Sequence, residues 1–161
     1  MATAKELLTK GLHEGYVGHT DIYEIKRGDF SLKRSVYKNV DGSYHDEWLP
    51  TRTGGGQEIA DSGIEKYTRL YAGGVVSPEM LEGLGITKKE VIGYLIKKIV
   101  VLGEKTRLFD DCLPENDGDW RYKYQITDRV ESVKLTRALE TIEYKGKMVF
   151  IHGFEICEAV D

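Results

Sequence analysis

The chain has 161 residues, of which 40% are hydrophobic and 31% charged, with a formal net charge of −4 and a pI near 5.6. That length and mixture predict one domain with a sizeable core and exclude a disordered chain or a small disulfide-stapled scaffold. The acidic balance argues against nucleic acid or an anionic membrane as partner, and the two cysteines, Cys112 and Cys157, lack zinc-site spacing and fit a reducing compartment. The opening "MATAKELLTKGLHEG" has no signal-peptide core, and "VIGYLIKKIVVLG" is interrupted by Lys97 and Lys98 and is too short to span a bilayer. A soluble, cytoplasmic protein is expected.

Thr3 followed by Glu6 has the form of a capping box, and Leu7, Leu8 and Leu12 share a helical face, with Gly11 and Gly15 as stopping points of a short helix. "DFSLKRSVYKNVDGSYHDEW" alternates apolar and polar residues on either side of Asp41-Gly42 and predicts a hairpin. "LPTRTGGG" predicts a flexible loop. "QEIADSGIEKYTRLYAGG" then gives a second hairpin, turning near Asp61-Ser62-Gly63. Ser77-Pro78-Glu79 starts a short helix that runs to about Leu84 and is ended by Gly85. A second capping box, Thr87 with Glu90, opens a longer helix through Val91, Ile92, Leu95, Ile96, Ile99 and Leu102, with Gly103 as its stop. After the acidic loop "DDCLPENDGD" come "GDWRYKYQITDRV", "SVKLTRALETIEY", a Lys145-Gly146 turn and "KMVFIHGFEICEAV", all of strand character.

The two capping boxes begin similar sequences. Thr3 and Thr87 are 84 residues apart, Gly63 and Gly146 are 83 apart, and "GDF" at Gly28 and "GDW" at Gly118 are 90 apart. The expected fold is α+β, with two tandem copies of a helix plus a mostly antiparallel meander packed as one domain over residues 1–161. Repeat 1 covers about 3–76, the connecting helix 77–85, and repeat 2 about 87–161. The alternative is that capping boxes and Gly-Asp turns recur because they are common.

"GDFSLKRSVY", "GGGQEI" and "YTRLYAGG" together resemble the pattern of the bacterial and archaeal domain of unknown function 5680 family, with "FIHGFEI" a looser echo in the second half. Gly56-Gln57-Glu58-Ile59 and Tyr71-Ala72-Gly73-Gly74 carry the resemblance. It implies effector sensing, because such domains are sometimes joined to a helix-turn-helix segment, for which this chain has no room. It supplies no catalytic residues.

Alternate strand residues share a face, so Glu65, Tyr67, Arg69 and Tyr71 point together, and an offset of 83 sets Met148, Phe150, His152 and Phe154 at matching positions. Each half then carries an aromatic, polar, aromatic triplet. At offset 90, Phe30, Leu32 and Val36 match Trp120, Tyr122 and Ile126, with Arg34 opposite Tyr124. If these rows line one concave surface, the ligand-binding set is Arg34, Glu58, Tyr67, Arg69, Tyr71, Trp120, Tyr122, Phe150, His152 and Phe154, suited to a small organic or anionic ligand. The competing reading makes the aromatics core, with Arg34, Arg69 and His152 at its edge, reaching water or paired with Glu58, Glu65 or Glu140.

His152 with Glu140 or Glu143 offers an acid–base pair, but no nucleophile stands at a completing spacing. His45-Asp46-Glu47 cannot converge on a metal from a regular strand and reads as a solvated loop. "RTGGG" lacks the Gly-Lys-Ser/Thr ending of a phosphate loop, and no cofactor or metal motif is present. Three functions follow: a ligand-binding or sensing module without catalysis, a homodimeric interaction protein pairing through an exposed strand edge, or a small-molecule enzyme using His152.

Overall fold

The computed structural model describes residues 2–18 and 22–160. Helix α1, Ala4–Leu12, starts where the Thr3 hydroxyl accepts from the Glu6 amide at 3.2 Å and the Glu6 carboxylate accepts from the Thr3 amide at 2.6 Å. Its inner face buries Ala4, Leu7, Leu8 and Leu12. Leu7 and Leu8, with no exposed surface, contribute about 1.5–3 kcal/mol each in removing side chains from water.

Gly11 and Gly15 do not stop this helix. The chain continues through Leu12 into a π-helical turn, His13–Val17. The two glycines instead let the helix backbone lie directly on the sheet: a Cβ at Gly11 would fall inside the Tyr44 ring, and one at Gly15 on the Ser35 hydroxyl. The glycines mark close approach rather than an end.

The strands are β1, Ile22–Arg27; β2, Phe30–Asn39; β3, Gly42–Trp48; β4, Thr53–Asp61; β5, Lys66–Val75; β6, Trp120–Val130; β7, Leu135–Tyr144; and β8, Lys147–Glu158. They form one antiparallel sheet in the order β1-β2-β3-β4-β5-β8-β7-β6. Between β5 and β6 lie α2, Pro78–Leu84, and α3, Lys88–Leu102, the latter opened by the Thr87–Glu90 capping box. The fold is therefore α+β in one domain, with three α-helices among the described residues.

Helix α1 packs on β3 and β4. Helix α3 buries Val91, Tyr94, Leu95 and Ile99 in a cluster with Tyr122, Tyr124, Ala138, Ile142, Val149 and Phe150 of β6, β7 and β8. Both helices thus cover the same face of the sheet, because each offers one apolar stripe and the sheet buries only alternate residues of each strand.

Three local expectations need correction. "LPTRTGGG" is a loop only as far as Arg52: β4 begins at Thr53, and Gly54 and Gly55 pair with Gly73 and Ala72 of β5. His45-Asp46-Glu47 is the middle of β3 rather than a solvated loop. The "GDF" and "GDW" segments do not occupy matching places, because β2 is the fourth strand from the β5–β8 seam on its side and β6 the third on the other. The hairpin β1–β2 stands in the first half where the second has the stretch from Thr106 to Asp119.

The glycine reading yields a paired test. Gly93 on α3 has open space around its Cβ position, whereas Gly11 has none. Gly11→Ala is expected to cost about 1–3 kcal/mol through overpacking, lowering Tm by roughly 3–10 °C, while Gly93→Ala gains about 0.5–1 kcal/mol from helix propensity. Thermal unfolding followed by circular dichroism checks both; equal shifts would contradict the packing account.

Candidate functional site

The covered face of the sheet carries charge deep inside. Glu58 on β4 stands directly across from Arg69 on β5 and takes two hydrogen bonds from it, Nε to Oε2 at 2.5 Å and Nη2 to Oε1 at 2.6 Å. The Tyr44 hydroxyl donates to the same carboxylate at 2.7 Å. Arg69 Nη1 donates to the main-chain carbonyl of Arg107, which has a left-handed backbone at φ 58°. The Arg107 side chain in turn donates to both oxygens of Glu140 on β7, at 2.8 and 2.7 Å, and Tyr122 donates there at 2.6 Å. All four charged groups are buried, so each carboxylate is matched by a planar two-pronged donor that offsets its desolvation.

Burial opposes ionisation of Glu140, yet the Arg107 guanidinium prevails and holds its carboxyl below the usual range. Asp46 differs. It lies across from Glu58 on β3, is buried, and has no guanidinium of its own; the Tyr71 hydroxyl donates to it at 3.1 Å. Burial, reinforced by the Glu58 charge, pushes its carboxyl well above the usual range, against the weaker pull of the Tyr71 hydrogen bond and of Arg69 and Arg107.

Asp46 opens on a cavity of about 300 Å³ between the sheet and the two long helices. Leu12 and Tyr16 come from α1 and its π-helical turn, Trp48 from the end of β3, Ile92 and Leu95 from α3, and Phe150 from β8. Glu58, Tyr71, Arg107 and His152 complete the inner end, and Arg52 and Lys88 also line the cavity. The β5 wall is bare at Gly73 and Gly74, whose φ values of 139° and 148° suit only glycine and where a Cβ would strike carbonyls of the neighbouring strand and loop.

His152 sits beside Phe150, with ring centres 4.5 Å apart, and beside Tyr71 at 5.6 Å. Its Nδ1 is buried without a hydrogen bond and lies 3.8 Å from Glu140 Oε2, too far to bond. Burial, aided by the Arg107 charge, brings its pKa down to about 4, so the ring is neutral at pH 7 and its contact with Glu140 is not an ion pair. Glu143 is engaged elsewhere, by Lys123 at 2.8 Å.

Of the residues expected to bind ligand, Glu58, Tyr71, Phe150 and His152 line this cavity. Arg69 lies behind it, committed to Glu58; Tyr122 is committed to Glu140 and Thr106. Phe154 packs under the Arg107 guanidinium, 5.3 Å from the ring centre. Tyr67 meets Phe109 at 5.4 Å, and Trp120 stacks on Tyr94 at 4.8 Å, both away from the cavity. Arg34 is on the opposite face, against the Tyr23 ring at 5.6 Å, because its strand neighbour Ser35 is the residue that turns inward opposite Asp46. Sequence reasoning missed Asp46, Tyr16, Trp48 and Arg107. Strand alternation alone could have found Asp46 and Trp48, since Tyr44, Asp46 and Trp48 form the buried row of β3.

The His152 environment sets a pH dependence. Its folded pKa is depressed, so as pH falls below about 6.5 the unfolded chain takes up a proton that the folded ring refuses until about 4, and stability is lost across that window. His152→Leu removes this contribution: from pH 7 to pH 5 the variant should lose roughly 1–2 kcal/mol less than the wild type in urea unfolding. Parallel profiles would contradict the buried, neutral imidazole.

Comparison with family models, curated proteins and solved structures gives no match for this chain.

Proposed function

We propose that the chain is a small-ligand-binding module built from two copies of one helix-plus-three-strand unit, closing on a single cavity at their seam. The observation that carries the reading is the cavity itself, in which buried polar groups, Asp46 and His152, face apolar walls without being consumed by the ion pairs that hold the fold. Binding is favoured over acid–base catalysis by His152 with a glutamate, because Glu140 already accepts from Arg107 and Tyr122.

Strand register supports the duplication. Tyr44, Glu58 and Arg69 stand in the same relation on β3, β4 and β5 as Tyr122, Glu140 and His152 on β6, β7 and β8: a tyrosine diagonal to a glutamate, which faces the third residue across its hairpin. These matches are 78, 82 and 83 residues apart, close to the 84 between the capping threonines. The pair Tyr71–Phe154, itself 83 apart, lies across the β5–β8 seam where a two-fold axis would pass.

On this reading the copies diverged in one feature that bears on the cavity. Glu58 takes its cation from its cross-strand partner Arg69; at the corresponding site the partner is His152, and Glu140 takes Arg107 from the loop before β6 instead. That exchange leaves a neutral imidazole at the cavity. A co-purifying small molecule is therefore expected as a mass adduct in native mass spectrometry of the wild-type protein, and Ile92→Trp, which fills the α3 side of the cavity, should lose it with far-UV circular dichroism unchanged. Absence of any adduct in the wild type, or its retention in Ile92→Trp, would overturn the ligand-cavity reading.

A further inference from the structure

Three carboxylates meet on the covered face of the sheet, and two of them have a dedicated arginine: Glu58 with Arg69 and Glu140 with Arg107. The third, Asp46, is 2% exposed and among the described residues has no salt-bridge partner; the one side chain that donates to it is the neutral Tyr71 hydroxyl. A buried carboxylate with no cation is costly to keep ionised, and the cost falls when a cation arrives. The cavity in front of Asp46 is walled by Tyr16, Trp48, Tyr71 and Phe150, with Tyr16 and Trp48 edge to face at 6.0 Å. Aromatic faces attract organic cations and also accept the apolar body such a molecule carries.

We propose that the cavity takes a small organic amine, bound as its ammonium against Asp46 with its apolar or aromatic body along Leu12, Trp48, Leu95 and Phe150. This rests on the ligand-cavity reading above and names the chemical class of the occupant. A neutral His152 supplies a hydrogen-bond acceptor rather than a competing charge. Arg107 also lines the cavity, but two of its three nitrogens donate to Glu140 and balance that carboxylate. Arg52 and Lys88 add positive charge elsewhere in the lining, so a ligand carrying an acidic substituent as well would place its ammonium at Asp46 and that group toward them.

A cation seated beside Asp46 favours its ionised form. The groups bearing on Asp46 are Glu58 of β4, Tyr44 of its own strand, Arg69 and Tyr71 of β5, Tyr16 of the π-helical turn and Arg107. The one carboxylate among these is Glu58, which is bonded to Arg69.

Isothermal titration calorimetry with three probes of one shape tests the proposal: phenethylamine, 2-phenylethanol and 3-phenylpropanoate. The wild type is expected to bind phenethylamine at least tenfold more tightly than either of the others. Asp46→Asn should remove that tenfold preference while its Tm stays at or above the wild-type value, because an uncharged amide replaces an uncompensated buried acid. Should that Tm fall instead, the Asp46 carboxyl carbon of the wild type is followed by NMR as phenethylamine is added: its resonance should move in step with saturation, and an unmoved Asp46 resonance would overturn the assignment. Equal affinity for amine and alcohol, preference for the carboxylate, or an amine preference that survives in Asp46→Asn would each overturn the amine assignment while leaving a ligand cavity standing. Failure of all three probes to bind at millimolar concentration would overturn it too, and the adduct experiment would then decide separately whether any ligand is held.

Discussion

The interior depends on a chain of charge that runs across the sheet. Glu58 and Arg69 join β4 to β5, the Arg69 guanidinium reaches on to the Arg107 carbonyl, and the Arg107 side chain joins that loop to Glu140 on β7. One main-chain oxygen therefore links two buried ion pairs. Such pairs add little net stability compared with well-packed apolar residues, but losing one partner of either costs about 3–5 kcal/mol, because its mate is left buried and charged. What the chain of charge supplies is position. It fixes the Arg107 loop against the sheet and thereby sets the inner end of the cavity, with tyrosines 44 and 122 completing the hydrogen bonds of the two carboxylates.

Much of the scaffold is legible in the sequence because it rests on local rules. Two capping boxes, the Ser77-Pro78 helix start, the Lys145-Gly146 turn and the inward faces of β5 and β8 each follow from spacing within one element, as does the β2–β3 hairpin, although it turns at Val40-Asp41, one residue before the expected Asp41-Gly42. Several of the missed features involve a partner distant in the chain. Glycine triplets read as loops when nothing shows that β5 lies alongside, and Gly11 and Gly15 read as helix stops when nothing shows the sheet pressing on them. Strand β1, Ile22–Arg27, escaped because neither face of an edge strand is fully buried and its pattern is correspondingly weak.

The site was half legible for the same reason. Tyr71, Phe150 and His152 follow from alternation on two strands, while Arg69, equally placed by alternation, is drawn out of the cavity by the carboxylate opposite it. Arg107 was invisible: its role comes from a loop with no periodicity, held by a hydrogen bond from a residue 38 positions away. Asp46 lay in plain view between His45 and Glu47, whose own side chains bond to each other at 2.9 Å, and the clustering of three polar residues masked the alternation that sends the middle one inward.

The central claim is that the interior balances two of its carboxylates and leaves one unbalanced. Carboxyl carbon NMR of the labelled wild-type protein, followed through a pH titration, reads both kinds in one experiment. The account predicts that Asp46 titrates well above, and Glu140 below, the ordinary carboxylate range. An Asp46 that titrates at the ordinary value, or together with Glu140, would contradict it.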